Sequence, residues 1–483
     1  MATISGTPTI SSAGIGSGLD VNAIVSQLLA VDAKPLGVLQ ATASKLQTQL
    51  SAFGRLQSLV SALQDATKPL LTSTNYSLTT AASSDVTAVG VTSTSSAVPG
   101  NYSVSVSALA ASQTLVSASG QFTAATDVVG TGALTISLGS YNAGQTTFTP
   151  KAGTQAVSIT IDAANNTLAG IRDKINAANA GVTASIVTDS TGARLALQST
   201  ATGAVNGFKV AVVESGAAGL GRLGFDPTIN VRQLTQTTAA ADTQATVNGI
   251  AVTSSSTTLT NVIQGLTLSL SKVTASPVQL TVAANTDALK TMVTSFVSAY
   301  NALNAFVGDA TKYDPVAKKG ALLQGDRTTL GLQAQLRNVL GSYGSASTTF
   351  NTLSAIGLQF QKDGSLKIDD VKLSAAVQNP TELKKALSNV DTATPANNGF
   401  FKKLDDWESI ALGTSGALPT RQQSIQKSIV ANQKDQDAFQ ARLALTEKRL
   451  RSQYSALDST VSQANALSKY VTQQITLWNN QKP

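Results

Sequence analysis

After Pro419 the chain contains neither glycine nor proline until its final residue. These are the two strongest helix breakers, so a run of this length predicts one continuous helix, roughly 90 Å long at 1.5 Å per residue. Most globular helices run about 10–14 residues, which argues that this one packs along something other than a compact core. Leu443, Leu450, Leu457, Ala464, Val471 and Trp478 recur at every seventh position, the repeat of a coiled-coil seam. The companion positions Thr446, Gln453, Thr460 and Gln474 are polar. A half-polar seam stabilises weakly while constraining register and partner choice, so it suits reversible contact.

The N-terminal region, 1–71, has matching character. Val21, Ile24, Val25, Leu28 and Leu29 share one face of a first helix, with Asp20 as its N-cap. Pro35 suits the first turn of the next helix. From there Leu36, Leu39, Ala43, Leu46, Leu50, Phe53, Gln57 and Val60 alternate steps of three and four, a largely apolar seam expected to hold firmly. The expectation is that 1–71 pairs with the C-terminal helix, 419–483, to form a leg, with the rest of the chain inserted between them. Ahead of Asp20, the Ser/Thr/Gly-rich leader has no Lys or Arg and no apolar stretch, so it does not read as a cleavable secretory signal. It is expected to be a disordered leader, compatible with cytosolic residence or with export by a route that reads unfolded N-termini.

Between the ends lie two further zones. Residues 72–284 carry only sixteen charged residues and alternate in the manner of strands, as in Tyr102-Ser-Val104-Ser-Val106. Two subdomains are expected there. One includes a short amphipathic helix over 166–178, on Leu168, Ile171 and Ile175, followed by strands at 182–187 and 194–198 joined through Asp189-Ser-Thr-Gly192. Residues 285–418 return to helix. Leu289, Val293, Phe296, Tyr300, Leu303 and Val307 trace one face, and a helix over 326–340 is anchored by Leu330, Leu332, Leu336 and Val339. Lys362-Asp-Gly364 joins a small hairpin, 358–360 with 366–368. The fold class is therefore α+β: long coiled-coil termini forming a leg, a mixed helical core and a β-rich head.

Composition then removes whole classes of chemistry. The chain has no Cys and no His. Disulfide frameworks, thiolate sites, imidazole-bound zinc and the Ser-His-Asp arrangement are all excluded. Charged residues are 13% of the total, about half the usual share, and such surfaces suit contacts with many identical neighbours. The net charge of +7 is spread among acids, and aromatics are 5%, so no nucleic-acid partner is expected. No stretch reaches the ~18 apolar residues of a membrane span, and no membrane insertion is expected. Gly14-Ile-Gly16-Ser-Gly18 lacks the preceding strand and the lysine of a phosphate loop. The adjacent pairs Asp369-Asp370 and Asp405-Asp406 point to different faces, so neither shares a proton. No catalytic residue, cofactor or metal site is expected, and the chain reads as an exported assembly protein, not an enzyme.

With this organisation in view, several stretches resemble one family. Gly14-Ile-Gly16-Ser-Gly18-Leu-Asp20, followed by Ile24-Val25 and Leu28-Leu29, resembles the opening of the flagellar filament cap proteins, also called hook-associated protein 2. The run from Leu168 to Val187 looks like the hook IN motif of flagellar axial proteins. Leu323-Gln-Gly-Asp326, Ile356-Gly-Leu358, Asp363-Gly-Ser-Leu366, Tyr454-Ser-Ala-Leu457-Asp458 and Tyr470-Val-Thr-Gln-Gln-Ile475 are similar to that family and occur in its order. The resemblance implies a secreted homo-oligomer at the tip of the bacterial flagellum, expected as a pentamer with tetramer and hexamer left open. It implies partnership with flagellin, the export apparatus and an export chaperone, and a role in folding and inserting flagellin. On this reading Leu36, Leu39, Leu46, Leu50, Phe53, Val60, Leu443, Leu450, Leu457, Val471 and Trp478 form the leg seam. The alternatives are a hook–filament junction protein, an adhesin acting through the β-rich head, and, last, a carboxylate-based hydrolase.

Overall fold

The computed structural model describes residues 20–479; the leader and the Gly14–Gly18 run lie outside the described residues. The chain divides into two compact units. One combines the residues up to Ser73 with those from Lys290 onward, and the other is Thr74–Leu289. The helices, in order, are α1 (Val21–Asp32), α2 (Lys34–Leu71), α3 (Leu168–Ala177), α4 (Thr286–Thr311), α5 (Arg327–Gly341), α6 (Leu353–Ile356), α7 (Asp370–Val377), α8 (Pro380–Ser388), α9 (Phe400–Leu412) and α10 (Ala417–Asn479). The fold is α+β.

Local chemistry sets most of the helix starts. The Ala23 amide donates to Asp20 Oδ1 at 2.9 Å and the Thr329 amide to Asp326 Oδ1 at 2.9 Å, each filling a donor that a helix start leaves open. Asp369 caps α7 in the same way through the Lys372 amide, at 3.1 Å. The adjacent carboxylates Asp369 and Asp370 are thus a cap and a first-turn acid, both favoured by the helix dipole. Asp405 and Asp406 both pair with Lys402, three and four residues earlier on α9.

In the helical unit, α9 and α10 pack on α2, and α5 packs on α9. The α4 face of Leu289, Val293, Phe296, Tyr300, Leu303 and Val307 is buried throughout. Phe296 meets Phe401 of α9 edge-on, with centroids 4.5 Å apart. α4 also holds the small hairpin of Leu358–Phe360 and Leu366–Ile368. The Tyr300 hydroxyl donates to the Gly364 carbonyl at 2.9 Å, and Asn301 brackets Leu366, donating to its carbonyl and accepting from its amide at 2.9 and 2.8 Å. Gly364 has φ +81°, a conformation other residues adopt only at a cost.

Three apolar assignments need correction. Leu330 is 43% exposed, and Val339 is only partly buried. The buried stripe of α5 is Thr329, Leu332, Leu336 and Leu340, where steps of three and four keep residues on one face. Thr329 takes a core position because its hydroxyl donates to Asp326 Oδ1 at 3.1 Å, which offsets the cost of burying it. Leu28 is likewise exposed, at 41%. Val21 and Val25 are the buried residues of α1; Leu28, one heptad on from Val21, shares their side of the helix and is nevertheless exposed.

The second unit is antiparallel β-sheet around two cores. A five-stranded sheet, ordered Thr79–Ser83, Val278–Ala284, Gly100–Ala108, Thr243–Val247, Ile250–Ser254, shares one core with a three-stranded sheet of Thr258–Thr260, Leu266–Leu270 and Val89–Ser93. Val104 and Val106, from the alternating run, point into it. The other core joins a sheet built on Gly132–Tyr141 and Gly207–Glu214 to one built on Gly192–Ser199 and Val182–Asp189, with Leu168, Ile171 and Ile175 of α3 packed between their side chains. A Cβ on Gly170 would sit 2.5 Å from the Asn165 carbonyl oxygen, so this turn of α3 tolerates only glycine at such a close approach. Asn176 bridges to the strand after α3, accepting from the Ala184 amide at 2.7 Å and donating to its carbonyl at 2.9 Å.

Candidate assembly surface

The seam on α2 is read out directly as burial. Leu36, Leu39, Ala43, Leu46 and Leu50 are half-buried, and Phe53, Val60, Leu63 and Leu70 are buried. The opposite wall comes from α10, whose inward side steps through Leu418, Gln422, Ile425, Ile429, Asn432, Gln436, Phe439, Leu443, Thr446 and Leu450. Every step is three or four residues, so the heptad begins well before Leu443. Gln422 Nε2 donates to Gln57 Oε1 at 2.9 Å. At the other end of the pair, Arg451 of α10 donates to Asn22 Oδ1 of α1 at 2.8 Å. α10 therefore runs antiparallel to the chain direction of α1 and α2. Ser26, Leu29, Ala30 and Ala33 of α1 face Gln440, Leu443, Ala444 and Glu447 across an open cleft of about 430 Å³.

Polar residues occupy core positions along this pair. Asn432 and Gln436 are buried, and the Gln436 amide donates to Asn432 Oδ1 at 2.6 Å. Arg421 stacks over the Phe53 ring, 5.9 Å from its centroid, and donates to Asp326 Oδ2 at 2.9 Å. Asp326 thereby caps α5 with one oxygen and ties the start of α10 with the other. Apolar patterning passes over all of these. For Asn432 and Gln436, extending the three-four spacing upstream from Leu443 would have found them.

Beyond Arg451 the α10 surface changes. Tyr454, Asp458 and Val461 are partly covered, whereas Leu457 and Val471 are 47% and 46% exposed. The heptad positions of the sequence and the covered side of the helix drift apart here, as a straight helix drifts about 20° per heptad. Leu467, Tyr470, Ile475 and Leu477 are also exposed. The structure thus sets α2 at Gln57 against Gln422 and sets Leu443 against α1, and leaves Leu457 and Val471 exposed in the single chain. The side chain of Trp478 lies outside the described residues.

Elsewhere the search for chemistry is brief. Among the described residues no group of three or more acidic side chains could hold a metal ion, and no helix is long and apolar enough to cross a membrane. A polar recess of about 190 Å³ in the β-rich unit is lined by Gln113, Tyr141, Asn142, Gln145 and Gln236. Its amides are already engaged: Gln113 brackets Phe208, Gln145 bonds Gln236 and Arg232, and Asn142 binds Thr146. Burial pushes the Tyr141 hydroxyl well above its ordinary range, which leaves it a neutral hydroxyl at any physiological pH.

Comparison with known proteins matches this architecture along the chain. Residues 17–113 match the flagellar hook-associated protein 2 N-terminus, residues 240–466 its C-terminus, and residues 140–201 the flagellin hook IN motif. The flagellar hook-associated protein 2 of Escherichia coli K12 is 32% identical over 486 residues, covering 98% of this chain and 100% of that one. The B-type flagellar hook-associated protein 2 of Pseudomonas aeruginosa is 32% identical over 336 residues, covering 66% and 69%. The crystal structure of the D1-D2-D3 domains of the Escherichia coli flagellar cap protein matches with a TM-score of 0.62 at 30% identity, over 78% of this chain and 99% of that one. With agreement of this extent in sequence and in fold, the chain belongs to the flagellar hook-associated protein 2 family.

Proposed function

We propose that the protein caps the distal end of a bacterial flagellar filament as a homo-oligomer, reaching that position by export, and that it promotes folding and insertion of flagellin beneath it. The observation that carries this reading is the end-to-end similarity to hook-associated protein 2 chains and to a flagellar cap structure. The terminal helices are the proposed docking element. Past Arg451, α10 carries Leu457, Leu467, Tyr470, Val471, Ile475 and Leu477 exposed, more large apolar side chains than a soluble helix leaves uncovered without a partner. Alternation with polar positions such as Thr446, Gln453 and Thr460 suits a contact that forms and releases.

The test is genetic and microscopic, in the bacterium that carries the protein. Deleting its gene should leave filaments short or absent, with flagellin monomers in the medium, and gold-labelled protein should mark filament tips. Label at the filament base would favour the hook–filament junction reading, and normal filaments after deletion would refute the proposal. A second arm replaces Thr446, Gln453 and Thr460 with Leu. Tighter docking should shorten filaments by stalling the cap, and unchanged or longer filaments would count against reversible gripping by this seam.

A further inference from the structure

Glu408 stands out among the buried groups. On α9 it continues the inward stripe of Phe401, Leu404 and Ala411, a set of positions three and four apart that otherwise carries only apolar side chains. It is 0% exposed. One of its oxygens receives the Thr67 hydroxyl of α2 at 3.2 Å, and Thr67, itself fully buried, also bonds the Leu63 carbonyl at 2.8 Å. The other oxygen, Oε2, is buried and has no hydrogen-bond partner. A carboxylate in this position would carry a full charge with one weak neutral donor, at a cost of several kcal/mol. The carboxylic acid form carries none.

The surrounding charges do not rescue the anion. Asp65 and Lys68 lie on the facing side of α2 and bond each other, and Asp405 lies one turn back on α9, next to Lys402. The other helices packed on α9 bring Arg337, Glu382, Lys385 and Arg421, each engaged elsewhere: with Asn304, with one another, or with Asp326. Burial is the dominant effect, and it pushes the Glu408 carboxyl up to about 8. The chain has no His and no Cys. Apart from the α-amino group, few other groups ordinarily change charge between pH 5 and 9.

We propose that Glu408 is a proton-dependent fastener between α2 and α9, holding the two helices together while it is protonated and loosening them when it ionises. The inference rests on the buried, half-satisfied carboxyl and is independent of the capping role. The direction of the effect follows from linkage. A carboxyl whose folded-state value lies above its unfolded value of 4.5 binds more protons folded than unfolded. Its contribution to stability is therefore fully present below about pH 4.5 and is lost as pH rises towards about 8.

The experiment uses the full chain in a W478F background. Trp407 is then the only tryptophan; it sits beside Glu408 and donates to Gln335 of α5 at 3.1 Å. Urea unfolding followed by Trp407 fluorescence at pH 5.5, 7.0 and 8.5 should show the unfolding constant rising by about tenfold per pH unit over the lower part of this range. E408Q, which keeps the shape but cannot ionise, should flatten that dependence. E408L serves the same purpose if the glutamine variant does not fold. An equal pH slope in the non-ionising variant, or a flat profile in the parent protein, overturns the proposal.

Discussion

The two halves of α10 have the same polar, glycine-free composition and opposite surroundings. From Leu418 to Leu450 the inward side of the helix is covered by α2 and α1, with Leu418 and Ile425 fully buried. From Ser452 to Asn479, roughly 40 Å of helix at 1.5 Å per residue, large apolar side chains stand exposed. Both halves are helical, but among the described residues apolar side chains are fully buried only in the first. The second half keeps its large apolar side chains exposed among the described residues. One continuous helix is thus a structural member at one end and an unsatisfied surface at the other.

The largest test of this contrast lies in the inner half of the pair. Phe53→Ala removes a fully buried ring from beneath Arg421 and should cost about 3–5 kcal/mol in urea unfolding. A cost under about 1 kcal/mol would mean that the inner pair is not a true core. Next, Asp326→Ala removes the α5 cap and the partner of Arg421 together. It should cost about 1–3 kcal/mol, with the loss shared between α5 and the start of α10 in hydrogen exchange. Protection lost from α5 alone would separate the two helices' fates.

A smaller change is expected from replacing Asn432 and Gln436 together by Leu. The two side chains bond each other in a buried layer, so removing both leaves stability within about 1 kcal/mol of the parent, or higher. Their expected role is register, because a buried polar layer penalises misaligned pairing; a large destabilisation would instead make them a main source of binding energy. Smallest of all, Leu467→Ala in the outer half should change the stability of the isolated chain by no more than about 0.5 kcal/mol. A larger loss would show that the outer half is already packed within the single chain.

Much of this was readable in advance wherever structure depends on neighbours in sequence. Asp20, Asp326 and the turn at Asp363-Gly364 behave as their residue types dictate, because caps and turns are satisfied within three or four residues. The α4 face, the α3 stripe and the α2 seam follow from helical spacing alone. Leu28 and Leu330 were misjudged for the converse reason: hydrophobicity says that a residue can be buried, and only a facing surface decides whether it is.

By itself, then, the sequence determined where helices begin, how long the last one runs and which periodic faces could pack, since these are local properties of backbone and side chain. The strand order of the β-rich unit required the tertiary structure. Thr79–Ser83 pairs with Val278–Ala284 across nearly the whole length of that unit, and no local signal specifies such a partner. The same holds for the buried carboxyl of α9. Glu408 looks like any surface glutamate until Thr67 and the apolar faces of two helices close over it. Desolvation depends on everything within several ångströms, not on what stands next in the chain.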